Sequence, residues 1–399
     1  MLDVAIIGGG PAGIAAALTL KARGVKRVAI LEREGVLGGV PRHCGHPPFG
    51  VQEFGRLLTG PAYARHLAME AEAAEVEILL RHSVTALKPD GVVDVATPNG
   101  PTTIRALRVL LATGAREAPR AARLLGGDRP LGVLNTGALQ AYVHLHGLTP
   151  FARPVVVGTE LVGLSALTTC RGHGIHPVAV VEEGDRPVAR WPLGLLPKLL
   201  RIPTYFNSGI EEILGHARVE AVRLRDGQEI ACDGVLLTGQ FLPEASLARL
   251  SHLDVDSHSG GPAVDQYGRC SDGAYFAAGN LLRPIETAGW SFREGATIAD
   301  YIADDLAGGL PSAEDGITLV AGEGVKFVVP QRLARVTPLR GKLQLRVNEP
   351  ISGQLRVSSE HALLYKLRIS TRPERRILLD LGDMKPPREA KQLVVEIVS

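Results

Sequence analysis

Three glycines and one acid carry the most legible chemistry in this chain. Gly8, Gly10 and Gly13 lie in the run Asp3-Val4-Ala5-Ile6-Ile7-Gly8-Gly9-Gly10-Pro11-Ala12-Gly13, a G-x-G-x-x-G pattern. A turn of this kind receives a pyrophosphate. The first glycine permits the sharp bend, the second lets phosphates approach the bare backbone, and the third lets helix and strand pack closely. Pro11 and Ala12 open the segment that follows, whose free N–H groups and positive dipole end favour phosphate. Glu32 stands nineteen residues beyond Gly13. An acid at that place accepts both hydroxyls of an adenosine ribose and disfavours a 2′-phosphate. Together these residues specify an adenine dinucleotide.

A second chemical cluster is Arg42-His43-Cys44-Gly45-His46, just after the pair Gly38-Gly39. A thiolate at Cys44, stabilised by Arg42 or a histidine, would be reactive, and His43 and His46 could move protons. The same residues lack a fourth ligand for zinc, so no metal site is assigned. The four cysteines, at 44, 170, 232 and 270, are too scattered for a disulfide framework, a Cys-ligated iron–sulfur cluster or a close-spaced redox dithiol.

The elements that must position these groups follow from periodicity. An apolar strand precedes Gly8, a helix covers Ile14–Leu20, and a second strand, 28–31, ends at Glu32. Residues 41–60 read as loop, with helical spacing again from Pro61 to Ala74 and short alternating strands at 77–81, 84–88, 92–96 and 103–107. An apolar strand then enters Ala112-Thr113-Gly114. A second strand–turn–helix begins at Pro154-Val155-Val156-Val157-Gly158, with its own second strand ending in Glu182-Glu183 and a closing strand near 234–239. The segment 272–280 and a helix from Ser291 to Leu306 complete the first theme. These readings give an α/β chain of two Rossmann-like dinucleotide-binding domains, one inserted in the other. The expected boundaries are 1–118 and 239–312 for the outer domain and 119–238 for the insert.

Beyond Pro311 the chain becomes short alternating strands with Pro and Gly turns, which predicts a small separate all-β domain over 313–399, a sandwich. From Gly316 onward it holds 15 Lys and Arg against 8 Asp and Glu, a net of +7. Such a surface is either solvated or a docking face for an acidic partner. The whole chain of 399 residues has net charge +2 and 4% aromatics, which gives no footing for nucleic acid. It has no apolar run of membrane-spanning length. Its first strand starts at residue 2 or 3, leaving no room for a signal peptide and predicting a cytoplasmic location.

The combined motifs resemble the FAD-dependent pyridine nucleotide-disulfide oxidoreductase superfamily over residues 1–310. Gly8, Gly10, Gly13 and Glu32 match its FAD motif, Ala112-Thr113-Gly114 its A-T-G turn, and Ala278-Gly279-Asn280 the place of its G-D near the ribityl chain. The resemblance implies FAD contacts from Gly8, Gly10, Pro11, Ala12, Gly13, Glu32, Arg33, Gly39, Val84, Ala112, Thr113, Gly114, Gly279, Asn280, Thr287 and Ala288. It brings the Cys44 loop near the isoalloxazine ring, making Cys44, His46 and His43 the candidate catalytic residues. It also turns the helix start after Arg283, Glu286 and Thr287 toward the pyrimidine edge, with Trp290 against the flavin. A narrower likeness lies in residues 37–50, 58–64 and 279–290. These resemble flavoprotein subunits of multi-component bacterial dehydrogenases, among them opine and hydroxyproline dehydrogenases, hydrogen cyanide synthase and proteins accompanying glycerol-3-phosphate dehydrogenase.

The second turn departs from the pattern. Gly158-Thr159-Glu160-Leu161-Val162-Gly163 has Glu160 where the pyrophosphate needs a glycine. At ~5 Å and an effective dielectric of about 20, a carboxylate repels a phosphate by roughly 3 kcal/mol, on the order of a hundredfold in affinity. NAD(P) binding is therefore doubtful. Electrons must then reach FAD from a small substrate or another subunit. The expectation is an electron-transfer flavoprotein subunit of a dehydrogenase for a small amine, amino acid, opine or polyol phosphate, partnered by a second subunit. The alternatives are a self-sufficient NAD(P)H-dependent FAD reductase and an FAD-bound structural or assembly subunit.

Overall fold

The structure is a computed structural model that describes every residue except Glu314, Thr337, Arg388 and Ser399. The chain divides into two compact units, one of residues 1–39, 64–115 and 243–399, the other of 40–63 and 116–242. Among the described residues, no helix is long and apolar enough to cross a membrane.

The first unit is built on a seven-stranded sheet. Strands 77–80, 28–32, 2–7 and the C-terminal half of 100–111 lie side by side and parallel, and 275–277 pairs with 100–111 on its other side. In register, Val4 faces Val28 on one side and Arg108 on the other. The strands 2–7 and 28–32 are apolar without alternation because helices or a second layer cover both faces. Strand 100–111 is a single twelve-residue element, where the sequence suggested two. Its first half bends away to pair antiparallel with 92–97 and, through it, 83–88. Helices Pro11–Ala22 and Ala288–Leu306 cross closely, because Gly295 lets its helix meet the Ala12 backbone.

The β-domain belongs to this same unit. Its five-stranded sheet runs 332–333, 317–321, 392–398, 351–358, 363–371, and its three-stranded sheet runs 325–329, 342–347, 377–380. Alternate residues such as Leu343, Leu345, Leu355, Val357, Leu393 and Val395 fill the core between them, as expected of a sandwich. It is not separate, however. Phe327 and Val329 join the core formed by Ala5, Val109 and Tyr275. Gln266 exchanges two hydrogen bonds with the backbone of Ala334, at 2.8 and 3.1 Å. Alternation identified the strands, but not that their outward apolar residues have a partner.

The second unit holds a five-stranded parallel sheet in the order 204–205, 179–181, 154–157, 234–237, 133–135. Helices Thr136–His146 and Leu161–Gly172 flank it. A smaller sheet of 229–231, 221–224, 210–214 and 126–127 closes its other apolar face.

Candidate functional site

In the first unit the order of strands reverses between 2–7 and 100–111, the switch point where an open α/β sheet receives a ligand. Gly8 has φ +110°, and a methyl carbon there would stand 2.5 Å from the Ala112 carbonyl oxygen. Gly13 abuts the Gly8 carbonyl, so helix and strand meet backbone to backbone. Gly10 is different. A methyl there would meet nothing nearer than Gly39 Cα at 3.9 Å, whereas one on Gly39 would come within 2.9 Å of Gly10 Cα. The two glycines thus flank a strip of bare backbone at a helix N-terminus, which fits a pyrophosphate.

Glu32 is buried at 7% exposure and accepts the Gly9 and Glu34 N–H groups, each at 2.8 Å. A carboxylate has about four acceptor positions, so capacity is left for ribose hydroxyls. Arg33 is exposed and lies 3.8 Å from the Glu34 carboxylate. Val84 is half-buried against the apolar core. Ala112 is buried, and Gly114 has φ +77°. Thr113 spends its hydroxyl on the Glu244 carbonyl at 2.8 Å, so its side chain fixes the turn.

Across the sheet, Gly279 has φ +77° and donates its N–H to Glu294 at 2.7 Å. Asn280 shapes the loop that follows. Its Oδ1 accepts the Glu286 N–H at 2.7 Å, and its Nδ2 donates to the Glu286 carbonyl at 3.1 Å. Thr287 caps the helix by accepting the Trp290 N–H at 3.3 Å, and Ala288 is its first residue. One face of the Trp290 ring is covered by the Arg376 guanidinium, 3.6 Å from the ring centroid.

The inserted sheet has its own switch point, between 154–157 and 234–237. Here the turn is Gly158-Thr159-Glu160, against Gly8-Gly9-Gly10 in the first unit. Glu182 matches Glu32. It is 8% exposed and accepts the Thr159 N–H at 3.1 Å and the Gly184 N–H at 3.0 Å. The Thr159 hydroxyl also bonds to Glu182, taking an acceptor position that Gly9 leaves free. Glu160 folds inward. A methyl on Gly158 would stand 2.5 Å from its Oε2, and one on Gly239 2.6 Å from its Oε1. Its carboxylate therefore lies across the ends of both strands at the switch point. Burial, with Glu182 nearby, raises its pKa, which weakens the repulsion argument and replaces it with simple occupation of the crevice. The Thr159 contribution could have been read from the sequence, since it too stands where the first turn has glycine.

The Cys44 loop belongs to the second unit. Gly60 returns the chain to it. Its N–H bonds the Cys44 carbonyl at 3.0 Å, and any side chain would strike the carbonyls of Pro41 and Cys44. The Cys44 sulfur lies 3.5 Å from both the Val40 carbonyl and Gln140 Oε1. Burial, helped by the nearby Glu117 carboxylate, pushes its pKa up to about 12. The expected thiolate is thus corrected to a thiol. The histidine expected to stabilise a thiolate carries no charge, because burial and Arg42 push His43 down to about 4. His46 Nδ1 sits 2.9 Å from the Pro47 carbonyl, and its ring packs on Phe49.

Glu117 went unnoticed in the sequence. It is 6% exposed and accepts the Gly137 N–H at 2.7 Å, at the start of helix Thr136–His146. Burial raises its pKa to about 7, against the lowering effect of that N–H and of Arg123. A lone Glu at the end of the three-residue strand Ala115–Glu117 gives no sequence signal of burial. Among the described residues, no group of three or more His, Cys, Asp or Glu side chains could hold a metal ion.

Comparison with known proteins agrees with this geometry. Residues 2–295 match the family model for pyridine nucleotide-disulphide oxidoreductases. The chain belongs to this family. It is an FAD-dependent oxidoreductase. It is 30% identical over 306 residues to the ferredoxin reductase component of chlorobenzene dioxygenase from Cupriavidus sp. (strain PS12), covering 73% of this chain and 68% of that one. It is 27% identical to the alpha subunit of sarcosine oxidase from Rhizobium meliloti (strain 1021), over 82% of this chain but 33% of that protein. An opine oxidase subunit from Agrobacterium tumefaciens (strain Ach5) is 26% identical, with 70% of this chain matching 61% of that one. This chain therefore spans a third of the sarcosine oxidase protein and under two thirds of the opine oxidase protein.

Proposed function

We propose that this chain is the electron-transfer flavoprotein subunit of a multi-subunit dehydrogenase acting on a small amine, amino acid, opine or polyol phosphate. The observation behind this reading is the second switch point, where Thr159 and Glu160 occupy the positions a nicotinamide dinucleotide would take. Likeness to subunits of sarcosine and opine oxidases supports an amine or amino acid donor and partnership with a second subunit.

When bound, FAD supplies the electron chemistry. The chain's residues hold and orient it. Gly10 and Gly39 bare the backbone to the pyrophosphate, Glu32 takes the ribose, and the helix starting at Ala288 turns its positive end toward the ligand. The neutral His43, the Cys44 thiol and His46 form the proposed proton-handling loop, with Glu117 beside Cys44 able to hold or release a proton near neutrality.

The deciding experiment mixes the FAD-loaded protein anaerobically with NADH, and separately with candidate amines and amino acids, with and without a candidate second subunit. The reading expects the flavin band to persist with NADH and to bleach with one of the others. Fast bleaching by NADH alone would establish the second reading, an NAD(P)H-dependent reductase. That reading is favoured by Glu182, which keeps the ribose-binding position, and by likeness to the dioxygenase ferredoxin reductase component.

A further inference from the structure

We propose that the C-terminal β-domain is a working part of the FAD site: through Gln344, Arg346 and Arg376 it holds the 280–287 loop and Trp290, and so sets how firmly FAD is retained. The inference goes beyond the donor question and holds for either reading above.

The loop joins Gly279 to Thr287, two of the residues expected to touch FAD. It is pinned by one continuous polar relay. Glu294 accepts the Gly279 N–H and pairs with Arg283, a side chain only 2% exposed. Arg283 donates to Gln344 Oε1 at 2.9 Å. Gln344 passes the relay to Glu286 Oε1 at 2.7 Å. Arg346 donates to the same oxygen at 2.9 Å and to the Ile285 carbonyl at 2.7 Å. Arg376 pairs with Glu286 Oε2, and its guanidinium lies 3.6 Å from the ring centroid of Trp290 in the first turn of the helix.

Gln344, Arg346 and Arg376 come from strands 342–347 and the approach to 377–380, so half of the relay is β-domain. Burying such ions is costly, and apolar residues of similar size would hold two surfaces together at least as well. What the ionic relay adds is direction. It fixes the backbone at 279 and 285, the Glu286 side chain and the ring at 290. Two Arg residues otherwise counted in the basic surface of the domain, the buried Arg346 and the partly exposed Arg376, are spent on pairing with Glu286.

The chain has two tryptophans, and Trp191 is 82% exposed. In a Trp191→Phe background, indole emission reports Trp290 alone. FAD release from the loaded protein is followed on dilution by recovery of free-flavin fluorescence, with the melting temperature measured beside it. Arg376→Gln is expected to change Trp290 emission and to speed FAD release about tenfold, the scale of a partly desolvated cation–π contact. Arg376→Lys keeps a charge for Glu286 and a cation over the ring and should restore most of the retention. Arg368→Gln, on the exposed strand 363–371, should change neither. If Arg376→Gln does not fold, Arg376→Lys carries the test with a release two- to threefold faster than wild type. The proposal is overturned if the Arg376 variants release FAD within twofold of wild type while emission changes, if emission does not respond to Arg376→Gln, or if Arg368→Gln has an equal effect. NADH and substrate take no part, so the outcome is independent of the donor assignment.

Discussion

The two turns of this chain follow one plan, but where the first has Gly9 and Gly10 the second has Thr159 and Glu160. Each follows a parallel strand, opens a helix, and lies at the point where strand order reverses. Each has a buried glutamate, 32 or 182, that accepts the backbone N–H one residue past the first glycine. With Gly9 and Gly10 the crevice is open backbone. With Thr159 and Glu160 the crevice holds the protein's own hydroxyl and carboxylate. The two units keep the same architecture across this difference, because sheet, helix and acid are stabilised by packing and backbone bonds.

Transferring the difference should have the largest effect. Gly10→Glu places in the first turn what the second already has, and the variant is expected to be isolated without its flavin absorbance band. The added chain costs on the order of a hundredfold in affinity from charge alone. A variant that keeps a full complement of FAD would undo this contrast. The reverse transfer, Thr159→Gly with Glu160→Gly, should tighten NADH binding in calorimetry by clearing the crevice of both side chains. Glu160→Gly alone should recover only part, because the Thr159 hydroxyl still holds Glu182. Equal affinity in wild type and double variant would show that the second crevice is closed by something else.

Much of this contrast was legible in the residues. The strand–Gly8–Gly10–Gly13–helix–Glu32 run has a fixed spacing set by backbone contacts, so pattern and structure coincide. Glu160 was legible for the same reason, as a side chain where the pattern needs none. Its inward turn was not, since a sequence records no rotamer. The Cys44 thiol was misread because its pKa depends on burial contributed by distant residues such as Gln140 and Glu117. The β-domain strands were readable by alternation, but its union with the first unit depends on Phe327, Val329 and Gln344, whose partners lie some forty-five or more residues away. Charge counting also failed to separate the buried Arg346 and the partly exposed Arg376, both paired with Glu286, from the other basic residues.

A subtler difference between the units is the buried acid that titrates. Glu117 keeps its proton to about pH 7 in the folded chain, against an ordinary carboxyl value of 4.5. Between those values the folded state binds more protons than the unfolded state. Stability therefore falls as pH rises through that window, and the loss is complete above it. The penalty is on the order of 3 kcal/mol at most, at about 1.4 kcal/mol per unit. Glu117→Gln removes the titration while its amide oxygen can still accept the Gly137 N–H. Its melting temperature should exceed wild type by several degrees at pH 8, and the gap should shrink toward zero near pH 4.5. A gap that is the same at both pH values would mean that Glu117 does not titrate in this window.

The smallest effect is expected at Cys44, and it separates a nucleophile from a proton-handling thiol. With its pKa pushed up to about 12, Cys44 stays a thiol at pH 7.5. Alkylation by iodoacetamide at that pH should be far slower than that of free cysteine and should speed steeply as pH rises. The other three cysteines are buried, so mass mapping of the modified peptide assigns the signal. Cys44→Ser keeps a donor toward the Val40 carbonyl and Gln140 and should alter turnover with the true donor only a few-fold, whereas a redox-active sulfur would make that change abolish it. Rapid labelling at pH 7.5 would show that the Cys44 loop opens to solvent, and would return the residue to the role its neighbours Arg42 and His43 first suggested.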